Sequence, residues 1–107
     1  MRVELTEVVW FEDHVLSVEE LATLSGLPQE LLHELISGGA ITPLDASGPE
    51  PHFGAAALRM ARQARRLRED FEFDTQALLY SLGLLDRIGA LEFKLRELQA
   101  KLPRYRR

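Results

Sequence analysis

The chain contains no cysteine, and this absence excludes several kinds of protein at once. Without thiols it has no disulfide framework, no thiolate metal site and no cysteine nucleophile. It also lacks a run of about 18 apolar residues, and its first residues lack the long apolar core of a secretory signal. We therefore expect one soluble, cytoplasmic domain over residues 1–107, a length that can bury roughly 65% of its unfolded surface without support from a metal.

Positive charge is nearly missing from the first half of the chain. Residues 1–58 hold one basic side chain, Arg2, and ten acidic ones, for a net charge of −9. Residues 59–107 hold twelve basic and seven acidic side chains, for a net charge of +5. Such a division of charge indicates which molecules each half of the chain attracts or repels in solution. The alternative is that the two halves attract each other within the fold.

A helix-turn-helix is indicated by the spacing of SVEELATLSGLPQELLHEL, residues 17–35. The motif requires a small residue in its first helix, a glycine in the turn and an apolar residue that locks the second helix in place. Ala22, Gly26 and Leu32 occupy these three positions. The alternative is a pair of packed helices with no relation to the motif.

Capping residues predict where these two helices begin and end. Ser17 and Glu20 have the spacing of a capping box, and Gly26 suits the left-handed end of the first helix. Pro28 fits the first position of the second helix, where its missing N–H costs nothing. The glycine pair at residues 38–39 then ends the second helix.

Extended segments are predicted on both sides of the helix-turn-helix. The opening VELTEVVWF, residues 3–11, has the β-branched and aromatic residues typical of a strand. The segment AITPLDASGPEPHFG, residues 40–54, contains three prolines and two glycines. This composition, flanked by Ile41 and Phe53, favours a loose hairpin or wing over a helix.

Helical periodicity returns from about Ala55 to Glu69. We expect Arg59, Arg62 and Arg66 to share the outer face of this helix. Its inward face is predicted to carry small and apolar side chains: Ala57, Met60, Ala61, Ala64, Leu67 and Phe71. An acidic and aromatic connector follows and ends at Asp74, which is a good N-cap for the next helix.

A long final helix is predicted over residues 75–102, with a bend near Gly83 or Gly89 and an end before Pro103. Six apolar residues within it are spaced 4, 3, 4, 3, 4 and form what we call the heptad seam: Leu84, Ile88, Leu91, Leu95, Leu98 and Leu102. The seam is too apolar to stay exposed, so it either folds back on its own domain or pairs with a second copy as a homodimer. Parallel pairing would match Arg87 with Glu92 of the second copy, whereas antiparallel pairing would bring basic residues together.

Constellations that carry catalysis or hold a cofactor are missing from the sequence. His14, His33 and His52 have no short spacing of the kind metal ligands show, and the glycines do not form a phosphate-binding loop. The carboxylates lie at solvated helix positions and lack the apolar enclosure that tunes a catalytic pair. We therefore predict a protein that is not an enzyme and has no catalytic residue, metal or cofactor.

Electrostatics argues against DNA as the ligand of the helix-turn-helix. Nonspecific affinity for DNA comes almost wholly from Lys and Arg that meet phosphates. The second helix would instead carry Glu30 and Glu34 into the major groove, and no Lys or Arg occurs between Val3 and Leu58. A set of arginines on the following helix is the one place where nucleic acid could bind: Arg59, Arg62, Arg65, Arg66 and Arg68. A solvated face, with the acidic half as internal partner, explains that set more simply.

The order of parts predicts a mainly α fold that resembles the MerR-like winged helix-turn-helix, with a short N-terminal strand, a hairpin wing and a long C-terminal helix. Residues 1–54 would form the acidic head, residues 55–74 the arginine-rich helix and connector, and residues 75–102 the terminal helix. More narrowly, RLREDFEFDTQALLYSLGLLDRIGALEFKL at residues 66–95 and GGAITP at residues 38–43 resemble the CbpM family of chaperone modulators. The resemblance covers roughly residues 5–102.

This resemblance implies a function in which the protein binds and inhibits a DnaJ-type co-chaperone, CbpA. J-domains of such co-chaperones carry a basic helix through which they engage the chaperone DnaK, and a CbpM-like protein masks that helix, so DnaK is affected indirectly. Complementary charge suits an acidic head to this task. The candidate partner-binding residues are all acidic: Glu19, Glu20, Glu30, Glu34, Asp70, Glu72 and Asp74. No membrane partner is expected.

A MerR-type transcription regulator of heat-shock genes is the alternative function. It would act as a dimer through the terminal helix and bind duplex DNA through the arginine-rich helix. Binding would then weaken with added salt, because each neutralised phosphate adds about one unit to the salt dependence.

Overall fold

Four helices make up the described part of the chain, which in the computed structural model comprises residues 14–44 and 48–103. They are α1 (Val18–Ser25), α2 (Gln29–Ser37), α3 (Ala55–Phe71) and α4 (Thr75–Lys101). The described ranges contain no strand, only an isolated antiparallel bridge between Leu16 and Phe53. The mainly α prediction is therefore confirmed, while the predicted N-terminal strand lies outside the described residues. None of the described helices combines the length and apolar character needed to cross a membrane.

The predicted limits of α1 are confirmed. The Ser17 N–H donates to Glu20 Oε1 at 2.9 Å, and the Glu20 N–H donates to Ser17 Oγ at 3.1 Å, which completes the capping box. Gly26 ends the helix with φ 81°, and its N–H donates to the Ala22 carbonyl at 2.9 Å. Each end of the helix thus satisfies groups that would otherwise lack a partner.

The second helix begins one residue later than predicted. Pro28 has extended backbone angles, φ −64° and ψ 146°, and is the N-cap of α2 rather than its first residue. This costs little, because the fixed φ of proline suits an extended cap as well as a first turn. At the other end Gly38 is the C-cap and Gly39 has φ 83°, as the glycine pair predicts.

The wing is held to the helices by a short pairing near its base. Leu16 and Phe53 exchange two backbone hydrogen bonds of 2.8 Å each, and the Leu44 N–H donates to the His52 carbonyl at 2.8 Å. Phe53 is fully buried and so anchors the returning limb of the loop just before α3 begins. The described residues of this segment form no strand, so a hairpin wing stays a prediction.

Helices α1 and α2 pack beside one another, α1 packs on α3, and α4 packs on both α2 and α3. One cluster of buried apolar side chains joins all four helices. Its fully enclosed members include Leu21, Leu32, Leu35, Leu58, Leu78 and Leu82. The face of α3 toward α1 is rich in alanine, and such small side chains let helix axes approach closely.

Two predictions for α3 are wrong. Arg62 was expected on the outer face but is only 8% exposed, and its guanidinium donates to the Leu24 carbonyl in the last turn of α1 at 3.3 Å. It lies there because α1 crosses α3 at this level and leaves carbonyls at its C-terminus that need donors. Phe71 was expected inside but is 65% exposed, because α3 ends at this residue and has run past the core.

The last helix is continuous over 27 residues, with no break at Gly83 or Gly89, and the bend near these glycines stays a prediction. Asp74 caps it as predicted, since Asp74 Oδ1 accepts from the Ala77 N–H at 2.9 Å. Only its first turns are buried against the body: Leu78 and Leu82 are buried, whereas every residue from 83 to 103 is exposed. The molecule is accordingly elongated, measuring 54 × 31 × 30 Å.

The arginines of α3 allow a matched test of packing. We expect Arg62→Met to lower the free energy of unfolding by about 1–2 kcal/mol, because it leaves buried polar atoms without a donor. Arg59→Met on the exposed part of the same helix should change it by less than about 0.5 kcal/mol. Urea unfolding followed by circular dichroism measures both values, and equal effects would contradict the structural role of Arg62.

Candidate protein-binding site

Three of the seven predicted acidic residues line one groove. Glu30 and Glu34 lie one turn apart on α2, and Asp74 faces them from the start of α4. The groove has a volume of about 290 Å³. We call it the acidic groove and define it by its lining residues: Pro28, Glu30, Leu31, Glu34, Arg68, Phe73, Asp74, Thr75 and Leu78.

Hydrogen bonds fix two of the three carboxylates. Thr75 Oγ1 donates to Glu34 Oε1 at 3.1 Å and so ties α4 to α2 across 41 residues of chain. Asp74 is held by its capping bond to the Ala77 N–H. Glu30 has no such bond among the described residues, so it is the carboxylate most available to a ligand.

Apolar side chains contribute part of the lining of the acidic groove. Leu31 and Leu78 are buried, and Phe73 is half-buried between α3 and α4. At the edge Phe71 lies with its ring centroid 5.8 Å from that of Phe73, at an interplanar angle of 43°. Carboxylates beside apolar side chains suit a ligand whose basic side chains have long aliphatic stems, since the stems pack while the charged heads pair.

The other four predicted residues lie outside the acidic groove. Asp70 and Glu72 are exposed at the end of α3 and in the connector, beside the two phenylalanines. Glu19 and Glu20 lie in the first turn of α1, where Glu20 is engaged in the capping box. The structure thus gathers Glu30, Glu34 and Asp74 and leaves α1 as a separate acidic surface.

Sequence reasoning did not assign the other six lining residues to a partner-binding site: Pro28, Leu31, Arg68, Phe73, Thr75 and Leu78. Arg68 was named only within the set of arginines where nucleic acid could bind. Phe73 could have been found, because an apolar residue just before an N-cap commonly packs on the helix that follows. Thr75 and Arg68 carry no local signal, since their place in the groove depends on how α3 and α4 cross α2. A second depression of about 340 Å³ continues beyond the Glu34–Thr75 hydrogen bond, between α2 and α4.

The heptad seam forms a continuous exposed row. Its six residues are between 45% and 62% exposed, with Leu84 the least and Leu102 the most. Leu82 and Leu84 are two residues apart, and a rotation of about 200° in a helix places them on nearly opposite sides. Because Leu82 is buried in the body, the seam faces away from it. Phe93 is likewise about 200° from Leu91 and Leu95 and lies off the seam.

Within the described ranges, no group of three or more His, Asp or Glu side chains is placed to hold a metal ion. Nor does any buried side-chain polar atom there lack a hydrogen-bond partner. The chemistry that this surface offers is charge and apolar contact, which is the chemistry of a protein–protein interface.

Residues 16–100 match the family described as MerR HTH family regulatory protein. The chain belongs to the MerR helix-turn-helix family. The match begins at the Leu16 bridge and extends almost to the end of α4, so it includes both the acidic groove and the heptad seam.

Curated relatives are similar over most of the chain. The protein named Chaperone modulatory protein CbpM from Salmonella arizonae is 27% identical over 89 residues, which is 83% of this chain and 88% of the relative. The protein of the same name from Salmonella paratyphi B has the same identity and coverage. The resemblance to CbpM noted from residues 66–95 and 38–43 is confirmed as a distant relationship.

The exposed aromatic at the groove edge gives a test of whether this surface is structural. We expect Phe71→Ala to leave the free energy of unfolding within about 0.5 kcal/mol of the original, because the ring is largely in solvent. The same substitution at Phe53, which is fully buried, should cost about 3–5 kcal/mol. Thermal unfolding compares the two, and a large loss at Phe71 would show that the aromatic pair serves stability.

Proposed function

We propose that this protein is a non-enzymatic chaperone modulator that binds the J-domain of a DnaJ/CbpA-type co-chaperone and inhibits its stimulation of DnaK. The observation that carries the proposal is the acidic groove, which is built on the helix that would contact DNA in a DNA-binding relative. The distant relationship to proteins named Chaperone modulatory protein CbpM supports it.

The groove suits a basic helix by its charge and its apolar lining residues. Glu30 and Glu34 offer carboxylates on the outer side of α2, and Leu31 and Leu78 are apolar lining residues beside them. Opposite charge speeds the encounter and excludes partners of the wrong sign. A bound J-domain would have its basic helix covered, and this accounts for inhibition without any chemical step.

A transcription regulator is the second candidate, because the family description names regulatory proteins. The described residues of α1, α2 and the wing contain no Lys or Arg. On α3, the guanidinium of Arg62 serves the fold, and Arg65 pairs with Glu69 at 2.9 Å. Because these two arginines already have partners within the protein, fewer cations are left to neutralise phosphates, and duplex DNA is the weaker candidate.

Removing the two carboxylates of α2 tests the proposed interface. We expect the double variant Glu30→Gln/Glu34→Gln to bind a purified CbpA J-domain about tenfold more weakly, because two charge-assisted contacts are lost. The affinity of the unmodified protein should also fall as salt is raised from low to high concentration. Calorimetry measures both, and the ATPase rate of DnaK with the co-chaperone reports inhibition.

The control is Glu50→Gln/Glu97→Gln, which removes the same charge from exposed positions outside the groove. It should bind nearly as well as the unmodified protein. Equal weakening by both double variants would mean that only net charge matters, and affinity independent of salt would contradict the electrostatic account. A salt-sensitive complex with duplex DNA from the upstream region of its own gene, with no J-domain binding, would favour the transcription regulator.

We also infer that two copies pair through the heptad seam. The row is apolar, continuous and turned away from the body, and it spans about 27 Å along the helix axis. Monomeric proteins rarely leave such a row in water. The described residues of the same chain do not cover it, since all of α4 beyond Leu82 is exposed.

Pairing through the seam is tested with substitutions on two sides of one helix. Light scattering should give twice the chain mass of 12.2 kDa for the unmodified protein. Leu91→Ala/Leu95→Ala should give the mass of a single chain, because two central contacts of the seam are lost. Phe93→Ala, from the opposite side of the helix, should leave the dimer intact. A single-chain mass for the unmodified protein at high concentration would refute the pairing.

A further inference from the structure

Arg68 is a cation within the acidic groove that pairs with none of the carboxylates there. It lies in the last turn of α3 and lines the groove together with Glu30, Glu34 and Asp74. In the part of the chain that the structure describes, its side chain makes no hydrogen bond and no ion pair. The groove therefore offers a ligand charges of both signs.

The local helix geometry keeps this guanidinium open. A partner four residues along a helix is the usual one for an arginine, and for Arg68 that position is Glu72. However, α3 ends at Phe71, and Glu72 has a left-handed backbone with φ 57°, so it lies outside the helical ladder. Glu69, the nearest acid inside the helix, pairs instead with Arg65 at 2.9 Å.

The groove carboxylates are also held elsewhere. Asp74 accepts from the Ala77 N–H, and Glu34 accepts from the Thr75 hydroxyl, so each is fixed by its own hydrogen bond. Neither lies within pairing distance of Arg68. An arginine has five donors in a planar fork that suits a carboxylate, and none of those of Arg68 has an acceptor among the described residues.

We propose that Arg68 donates to a carboxylate of the bound partner, so that the partner's docking face carries an aspartate or glutamate among its basic residues. This inference rests on the proposed function and states the chemistry of the J-domain surface that the groove accepts. The basic side chains of that surface meet Glu30 and Glu34, while its acidic group meets Arg68. A helix with basic residues alone is disfavoured, because it brings like charge to Arg68 and leaves this arginine without an acceptor from the partner.

If Arg68 only stabilised its helix, removing its positive charge would change the affinity for the partner in the opposite direction. A cation in the last turn of a helix stabilises it through the helix dipole, and Arg68 occupies such a position. If this were its only role, removing the positive charge would make the acidic groove more attractive to any basic partner. Binding would then tighten, whereas loss of a specific ion pair weakens it.

The experiment compares charge reversals at two positions by calorimetry with a CbpA J-domain. Arg68→Glu should weaken binding about tenfold or more, because the pair is replaced by repulsion between two acids. Arg68→Gln should weaken it less. Arg96→Glu changes the charge equally on the exposed distal part of α4 and should leave binding unchanged or slightly tighter. Circular dichroism checks that each variant is folded.

With a second binding partner, the expected change in affinity on Arg68→Glu is reversed. A helical peptide of lysine and alanine without any acidic residue and with capped termini should bind Arg68→Glu more tightly than the unmodified protein. Tighter binding of the J-domain by Arg68→Glu would overturn the inference and leave the proposed function standing. Failure of the unmodified protein to bind the J-domain at low salt would remove both.

Discussion

The turn at Gly26 is the constraint on which the rest of the structure depends. Its φ of 81° is left-handed, and a Cβ added there would come within 2.8 Å of the Arg65 side chain on α3. Glycine is required for the backbone angle, whereas the close approach involves the flexible Arg65 side chain, which can move aside. Because the turn sets the direction of α2, it also fixes which side of α2 faces α4, and hence where Glu30 and Glu34 lie.

The chain has the helix-turn-helix architecture of its family, but the acidic side chains on α2 suit a different ligand from DNA. The apolar residues of α1 and α2 pack the two helices together, and a DNA-binding relative needs apolar residues at these positions for the same reason. The exposed positions of α2 are free of that demand, and here they carry carboxylates. Fold and ligand are thus encoded in different residues of the same nine-residue helix, which is why family membership alone does not decide between a DNA and a protein partner.

Local signals in the sequence were sufficient for features that depend on a few neighbouring residues. The Ser17–Glu20 box, the left-handed Gly26 and the Asp74 cap are of this kind, because capping is set by side chains within three or four residues. Arg62 and Phe71 were misplaced for the opposite reason. Helical periodicity predicts which face of α3 a residue lies on, but not its position along the helix relative to other elements. Arg62 is buried because α1 crosses α3 beside it, and Phe71 is exposed because the core ends before it.

The acidic groove was predicted only in part, for the same physical reason. Charge composition pointed to Glu30, Glu34 and Asp74, but it also pointed to Glu19 and Glu20, which lie elsewhere. The contact that assembles the groove joins Thr75 to Glu34 across 41 residues, and no local pattern encodes such a pairing. For the same reason the sequence did not assign Arg68 to the groove, because the carboxylates around it come from other helices.

Helix α4 connects the two surfaces on which the proposals rest and also keeps them separate. Its first turns supply Asp74, Thr75 and Leu78 to the acidic groove, whereas the seam begins at Leu84 on nearly the opposite side. Pairing of two copies would therefore leave both grooves accessible. A dimer with two open grooves engages a partner that presents two J-domains with a gain from effective concentration, provided that the spacing matches. Because α4 runs without a break from the groove to the seam, this helix sets the spacing of the two grooves in the proposed assembly.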